Sequence, residues 1–420
     1  MPTIKPFRAW RYDGGKVRDF SAVTAPPYDV ISREEQESLY RRNPHNVIRL
    51  ELAKEASGDT ATHNKYSRAA STLDEWKSSG VLVHDKVPAL YVYVQDYKEE
   101  GKAKRRLGFF AAMELDEKAV LKHENTLAGP KVDRLSLIKA TRTNLSPIFG
   151  LFEDAKGLVN KSLAGAAKQK PVADAMHDGV RHRLYIERRP RVIDAVRRVL
   201  KPKPMFIADG HHRFEVACQY RDLRRAENGH GDGAYNYVMT YFADVAHNPF
   251  KIFPTHRLVK SPGDPLPALG RLGKLEKVKS LADVLKRLDK NRVETKDKAY
   301  QFGVYGRKTG FHILTLDKTN APKRSAGPVD ALDVSALHEH VIAPVFGVRR
   351  IARSEKIDFS RDAKAAVKKV DEGKFDTALF LRPTSLKEMI VASKKGLKMP
   401  QKSTYFWPKL ITGLVFHGLE

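Results

Sequence analysis

A chain of 420 residues can bury more than one core, so two or three domains or lobes are expected, with no need for a disulfide or metal staple. The single cysteine, Cys218, excludes an intrachain disulfide, and no apolar run is long enough to span a bilayer. The 76 Lys and Arg against 50 Asp and Glu give a formal charge of +26, a field that attracts nucleotides, nucleic acid or other polyanions, although the excess is spread along the chain. The opening stretch MPTIKPFRAWRYDGG lacks the apolar core of a signal peptide, and the expected location is the cytoplasm.

In chain order, Ile4 to Tyr12 reads as a strand that ends in the turn Asp13-Gly14-Gly15. The loop APPYDVIS follows, stiffened by Pro26 and Pro27, with Ser32 and Glu35 in capping-box positions for a helix reaching about Arg42. Tyr66, Ala69, Ala70, Leu73 and Trp76 mark an amphipathic helix that stops at Gly80. Ala89 to Asp96 and Arg106 to Glu114 read as a hairpin around a charged loop. Then comes HENTLAGPKVDRLSLI, which gathers His123, Glu124, Thr126, Lys131, Asp133 and Arg134 around the breaker Gly129-Pro130. Carboxylates there can hold Mg²⁺ or accept a proton, and the cations can neutralise phosphate. Residues 153 to 185 read as a weakly periodic connector.

Pro190 occupies a favoured first-turn position for a helix with Val192, Val196, Val199 and Leu200 on one face. A short apolar strand, Met205 to Ile207, leads from it into Asp209-Gly210-His211-His212-Arg213 and then into a helix whose buried face carries Phe214, Ala217 and Cys218. Strand, glycine turn and helix start make a phosphate-binding layout. Gly210 permits close backbone approach, the helix N-terminus favours an anion, and Arg213 adds a forked cationic donor. Further on, Ala234 to Tyr241 reads as a strand, and His256 with Arg257 follows a proline bend. Residues 260 to 300 form a Lys-rich helical region, and Phe302 to Tyr305 with Phe311 to Leu316 form a second hairpin. Leu332 to Ile342 reads as an exposed helix whose His338 and His340 lack the HExxH spacing of a zinc site. The closing stretch MPQKSTYFWPKLITGLV sets Lys402, Ser403, Thr404 and Lys409 among aromatics. No G-x-x-x-x-G-K-[ST] loop is present, which excludes a P-loop enzyme.

The DGHHR turn, the HENT block and the PPYD loop together resemble the family catalogued as domain of unknown function 1015. The turn itself is similar to the phosphate-binding turn of the ParB/sulfiredoxin superfamily, which includes free-serine kinases. The resemblance implies a mixed α/β fold: a ParB/sulfiredoxin-like core at 156–300, flanked by an N-terminal α/β lobe at 1–155 and a C-terminal one at 301–420. It implies a kinase acting on the hydroxyl of free L-serine or a similar small metabolite, with ATP, ADP or another phosphate donor and Mg²⁺. In that reading Asp209, Glu124 and His123 are catalytic, and Asp209 and Glu124 hold the metal. Gly210, His211, His212, Arg213, Lys131, Arg134 and Lys402 face the donor. The expected partners are a nucleotide and a small-molecule, amino-acid substrate, with no membrane. The alternative is a non-catalytic nucleotide- or nucleic-acid-binding protein of ParB-like type, which the absence of a helix-turn-helix or finger pattern disfavours.

Overall fold

The computed structural model describes all residues except 1, 125–127, 230, 262, 295–298, 318, 320, 322–326 and 350–353. The apolar stretch Leu90–Glu99 is buried on both faces along most of its length, the pattern of a strand covered on both sides. It forms a hairpin with Lys102–Glu114, and the linking Glu100 and Gly101 both take positive φ (51° and 77°), as a right-twisted two-residue hairpin requires. Around this hairpin the described residues build a nine-stranded sheet. Its order is Val120–Leu121, Met205–Asp209, Ile148–Phe152, Tyr237–Asp244, Lys102–Glu114, Leu90–Glu99, Val180–Glu187 and Ala173–His177, with Ile4–Lys5 added alongside Lys102–Glu114. Most neighbours are antiparallel. Ile148–Phe152 runs parallel to Tyr237–Asp244, and Val120–Leu121 runs parallel to Met205–Asp209.

Pro190–Leu200 starts with its proline in the first turn and buries Ile193, Val196 and Leu200. These join Phe214, Ala217 and Cys218 of the helix His211–Asn228 in the core over the sheet. The other side of His211–Asn228 buries Val216 and Tyr220 with Ile138, Tyr235 and Leu419, so apolar contacts fix that helix from two directions. Ser32 caps Arg33–Arg42 by accepting the Glu35 N–H at 3.2 Å, and Lys65–Ser78 packs Ala69, Leu73 and Trp76 into a neighbouring core.

The chain divides into two compact units, one of Met1–Lys122, Thr126–Phe250 and Pro408–Glu420, the other of His123–Asn125 and Lys251–Trp407. The second unit has a six-stranded antiparallel sheet in the order Gly273–Val278, Gly310–Leu316, Gln301–Gly306, Thr377–Phe380, His256–Val259, Ile357–Ser360. Its core includes Val284, Leu288, Ile313, Val370 and Phe380. The fold class is mixed α/β, as the sequence implied. The division at 155 and 300 differs from the observed one, because the large sheet takes strands from both sides of residue 155 and the small sheet takes strands from both sides of residue 300. The expected connector at 153–185 contains the helix Leu158–Leu163 and the strand Ala173–His177 and runs into Val180–Glu187. Ala173–His177 is an edge strand of the sheet and Val180–Glu187 its neighbour, and both mix polar with apolar residues, so their apolar runs are short. Gly129 and Pro130 do not break the chain but lie in the first turn of Ala128–Thr141, where proline's missing N–H costs nothing.

Candidate functional site

The strand Met205–Asp209 buries its first four residues and changes register against Ile148–Phe152 between Ile207 and Asp209. A bulge of this kind re-aims the side chain that follows it, here Asp209 at the strand end. Gly210 then takes φ +96° and ψ 28°, and His211–Asn228 begins with no side chain capping it. A Cβ at Gly210 would stand 3.1–3.2 Å from the Arg213 guanidinium, so glycine serves both the left-handed backbone and the guanidinium lying over it. Eighteen residues of helix thus present their positive end at the turn.

Asp209 is held on both sides. Its Oδ2 pairs with Arg213 at 2.5 Å and its Oδ1 with Lys409 at 2.5 Å, and Arg213 also donates to the Pro147 carbonyl. Burial alone would raise the pKa of this carboxyl, but Lys409 and Arg213 outweigh burial and hold it well below the ordinary carboxylate range. Lys409 owes its position to a buried clamp. Arg106 donates to Gln95 Oε1 at 2.8 Å and to the Pro408 carbonyl, and Gln95 Nε2 donates to the Lys409 carbonyl at 2.8 Å. The Arg106 guanidinium lies over the Phe149 ring at 4.9 Å. Two cations therefore meet one carboxylate at the helix start.

Next to the turn lies a second carboxylate. Glu51, 2 % exposed at the end of the short helix Ile48–Glu51, accepts through Oε1 from Ser146 Oγ at 2.8 Å and from Arg134 Nη1 at 3.3 Å. Among the described residues its Oε2 has no hydrogen-bond partner. Desolvation raises this carboxyl's pKa, with Arg134, Ser146 and Arg213 pulling the other way. Arg134 is itself closed off: it pairs with Asp133 at 2.5 Å, donates to the Glu51 carbonyl at 2.8 Å and stacks 4.2 Å over the Tyr28 ring. That is a correction to its expected role, because a guanidinium 7 % exposed and filled by two carboxylates has little left for a phosphate. Lys131, another expected donor-facing cation, pairs with Glu215 at 3.2 Å. The PPYD loop joins this network, since Asp209, Tyr28, Asp29 and Glu51 together outweigh burial and raise the Arg213 pKa.

His123, Glu124 and Lys402 belong to the second unit. His123 is buried, its Nε2 3.1 Å from Thr404 Oγ1, and Glu124 Oε1 accepts the Lys402 N–H at 3.3 Å. Lys402 is exposed and has φ +55°, and the carbonyls of Gln401 and Lys402 accept from Arg257 at 3.3 and 3.4 Å. Arg257 is fully buried, pairs with no carboxylate among the described residues, and has its pKa lowered to about 9 by burial. His338, expected on an exposed helix, is instead buried, with Nε2 accepting from Arg257 Nε at 3.0 Å. Burial holds the His256 pKa down at about 4. Asn125, Thr126 and Leu127 of the HENT block lie outside the described residues.

Among the described residues no three His, Cys, Asp or Glu side chains form a metal-binding group. Asp209 does not fit the metal role expected of it, because both its oxygens are taken by cations. Glu124 offers the hard carboxylate oxygen that Mg²⁺ takes beside phosphate and water. Among the described residues no helix is long and apolar enough to cross a membrane.

The first unit is thus a mixed α/β structure with a cationic strand–turn–helix at one end of its sheet strands. The chain belongs to the family described as protein of unknown function (DUF1015), which matches residues 4–335. No curated protein matches it. Similar solved structures include a free serine kinase in complex with AMP, 12% identical with a TM-score of 0.36 over 71% of this chain and 86% of that one. A conserved hypothetical protein from Pyrococcus furiosus is 12% identical with a TM-score of 0.36, over 73% of this chain and 95% of that one. SbnI with C-terminal truncation from Staphylococcus aureus is 14% identical with a TM-score of 0.36, over 73% and 86%.

Sequence reasoning did not find Glu51, Ser146, Gln95 or Arg106, and it saw Lys409 only as one cation in an aromatic stretch. NVIRLEL reads as an ordinary helix fragment, and Lys409 meets Asp209 across 200 residues of chain. The one local signal is polar residues inside otherwise apolar runs, Gln95 in YVYVQDY and Glu51 in VIRLEL.

Proposed function

We propose that this chain is a small-molecule phosphotransferase that binds the phosphates of a nucleotide or similar donor at the turn Gly210 to Arg213 and phosphorylates a hydroxyl. The sequence resemblance to free-serine kinases suggests free L-serine or a close analogue as the acceptor. The observation that carries the reading is the turn itself: an 18-residue helix starting at a left-handed glycine with no side-chain cap, beside Arg213 and Lys409 with one carboxylate between them. Phosphoryl transfer asks the protein mainly for positioning and for positive charge around the transferring group, and such a turn supplies both.

In this reading His211, His212 and Arg213 line the donor. Asp209 orients Arg213 and Lys409 and takes no proton, because a carboxylate held so far below its usual range is a weak base. A Mg²⁺ ion bound with the donor would offset charge on the phosphoryl oxygens. Lys131 and Arg134 hold carboxylates of the first unit in place.

The test is a screen of purified protein with ATP, ADP and inorganic polyphosphate, with Mg²⁺, against amino acids and small alcohols, followed by phosphorus NMR. Arg213→Ala should weaken donor binding by roughly 1.5–3 kcal/mol, the range for hydrogen bonds to charged groups. Unchanged donor affinity in a folded variant, or no turnover with any pair, would remove the proposal. Salt-dependent nucleic-acid binding without turnover would favour the binding-protein alternative.

A further inference from the structure

A cavity of the first unit takes no part in the phosphate turn. It has a volume of about 480 Å³, opens to solvent and lies between the start of Arg33–Arg42 and the chain from Leu52 to Glu55. That volume is within the ordinary range for a small-molecule site. Ile31 and Leu52 give it an apolar side that packs on the core of Leu39 and Leu73. Its charged groups are Arg33, Lys54 and Lys65 against Glu37 and Glu55. Lys54 is spent on Glu37 at 2.6 Å and on the Tyr40 ring at 4.4 Å. Lys65 holds Glu55 at 3.0 Å, but that carboxylate is 78 % exposed, so water screens the pair. Among the described residues Arg33 forms no ion pair.

We propose that this cavity binds a small organic anion, a carboxylate or phosphate ester with a short apolar body, that takes the place of Glu55 on Lys65 and meets Arg33. The apolar side receives the body. A cationic ligand does not fit, because Glu37 and Glu55 already face ammonium groups, whereas Arg33 has no carboxylate of its own. Lys65 also reaches the phosphate turn through a row of alternating charges. It pairs with Asp133 at 3.0 Å, Asp133 with Arg134 at 2.5 Å and Arg134 with Glu51 at 3.3 Å, and Glu51 and Arg213 face one small cavity and act on each other's charge. The alternation sets the direction of the coupling. An anion that draws Lys65 away leaves Asp133 more firmly on Arg134, Arg134 less firmly on Glu51, and Glu51 freer to act on Arg213. A phosphate at Arg213 then meets a stronger competitor, so the bound anion weakens donor binding, a consequence that rests on the phosphotransferase reading although the anion site itself does not.

The experiment is calorimetric titration of the full chain with butyrate, succinate and propyl phosphate, with butyramide and propanol as uncharged controls. The anions should bind at least about tenfold more tightly than the controls, and at least about tenfold more weakly to Arg33→Gln and to Lys65→Met than to wild type. Lys65→Met removes a partner of Asp133, so should it not fold, Arg33→Gln decides, since Arg33 is exposed. Arg213→Ala separates the cavity from the turn and should bind the anions as wild type does. Comparison of the carboxylates with the ester tells which anionic group the site prefers. If none of the anions binds, if the uncharged controls bind as well, or if Arg213→Ala alone abolishes binding, the inference is overturned. The coupling is read twice, with the tightest of these anions at saturation. ADP affinity should fall at least about fivefold, and the Arg213 Nε–H NMR signal should move in wild type but not in Lys65→Met. A signal that stays still, or an ADP affinity that does not change, removes the link to the turn. ADP that does not bind at all removes the phosphotransferase reading and leaves the anion site standing.

Discussion

Asp209 and Glu51 sit in the same unit, both act on Arg213, and environment has driven their chemistry apart. Asp209 follows a strand bulge and faces two cations, so it stays ionised and unreactive. Glu51 is more deeply enclosed, shares its cation with Asp133 and keeps one oxygen unpaired, so burial raises its pKa. Carboxylates whose surroundings push their pKa values in opposite directions take different tasks. The first organises cations for an anion. The second has unused hydrogen-bonding capacity for a donor. Glu124, in the second unit, is a third case, tied to a main-chain N–H.

The comparison makes its largest demand on Asp209→Asn. Removing this charge leaves Lys409 and Arg213, both 12 % exposed, facing a neutral amide, and breaking such a pair from one side costs roughly 3–5 kcal/mol. Urea unfolding at pH 7 should show that loss, and a loss under about 1 kcal/mol would mean that the cations do not depend on Asp209. The pH dependence has a definite sign. A depressed carboxyl contributes stability that is present above its unfolded value, about 3.9, and that disappears as pH falls below it. The difference between wild type and Asp209→Asn should therefore shrink on acidification below about pH 4 and be flat between pH 5 and 8. A smaller effect, about 1–3 kcal/mol, is expected for Gly210→Ala, which forces a side chain onto φ +96° and against the Arg213 guanidinium. An alanine variant as stable as wild type would show that the turn relaxes freely. Chemical denaturation measures both.

Much of the first region was legible in the sequence. The strand–turn–helix order, the glycine at the turn, Ser32 as a cap, Pro190 in a first turn and the buried Cys218 all follow from local chemistry that neighbours in the chain enforce. The second region was not. Glu51 owes its character to Arg134 and Ser146, which come from 83 and 95 residues away, and Lys409 owes its place to Gln95 and Arg106 on a distant hairpin. Sequence reading found the charged residues of HENTLAGPKVDR as a group and expected a shared site. The fold turns Lys131 and Arg134 toward Glu215 and Glu51 and groups His123 and Glu124 with the second unit. Residue type announces that chemistry is available. Only tertiary pairing decides which charges are already spent.

The smallest expected effect is also the one that separates the two carboxylates most sharply. Glu51→Gln removes a charge that burial disfavours while preserving an oxygen to accept from Ser146, and Arg134 keeps its 2.5 Å pair with Asp133. The stability change at pH 7 should therefore stay within about 1 kcal/mol, since Arg134 is not left unpaired and the lost charge is one that burial already disfavours. Its pH dependence runs opposite to that of Asp209. A carboxyl whose folded pKa is raised contributes most below its unfolded value, about 4.3, and that contribution is lost as pH rises through the folded one. Glu51→Gln should gain on wild type as the pH rises from 4 to 8, measured by urea unfolding at each pH. If the variant instead loses several kcal/mol at pH 8, Glu51 is a structural anchor like Asp209, and the contrast between the two carboxylates fails with it.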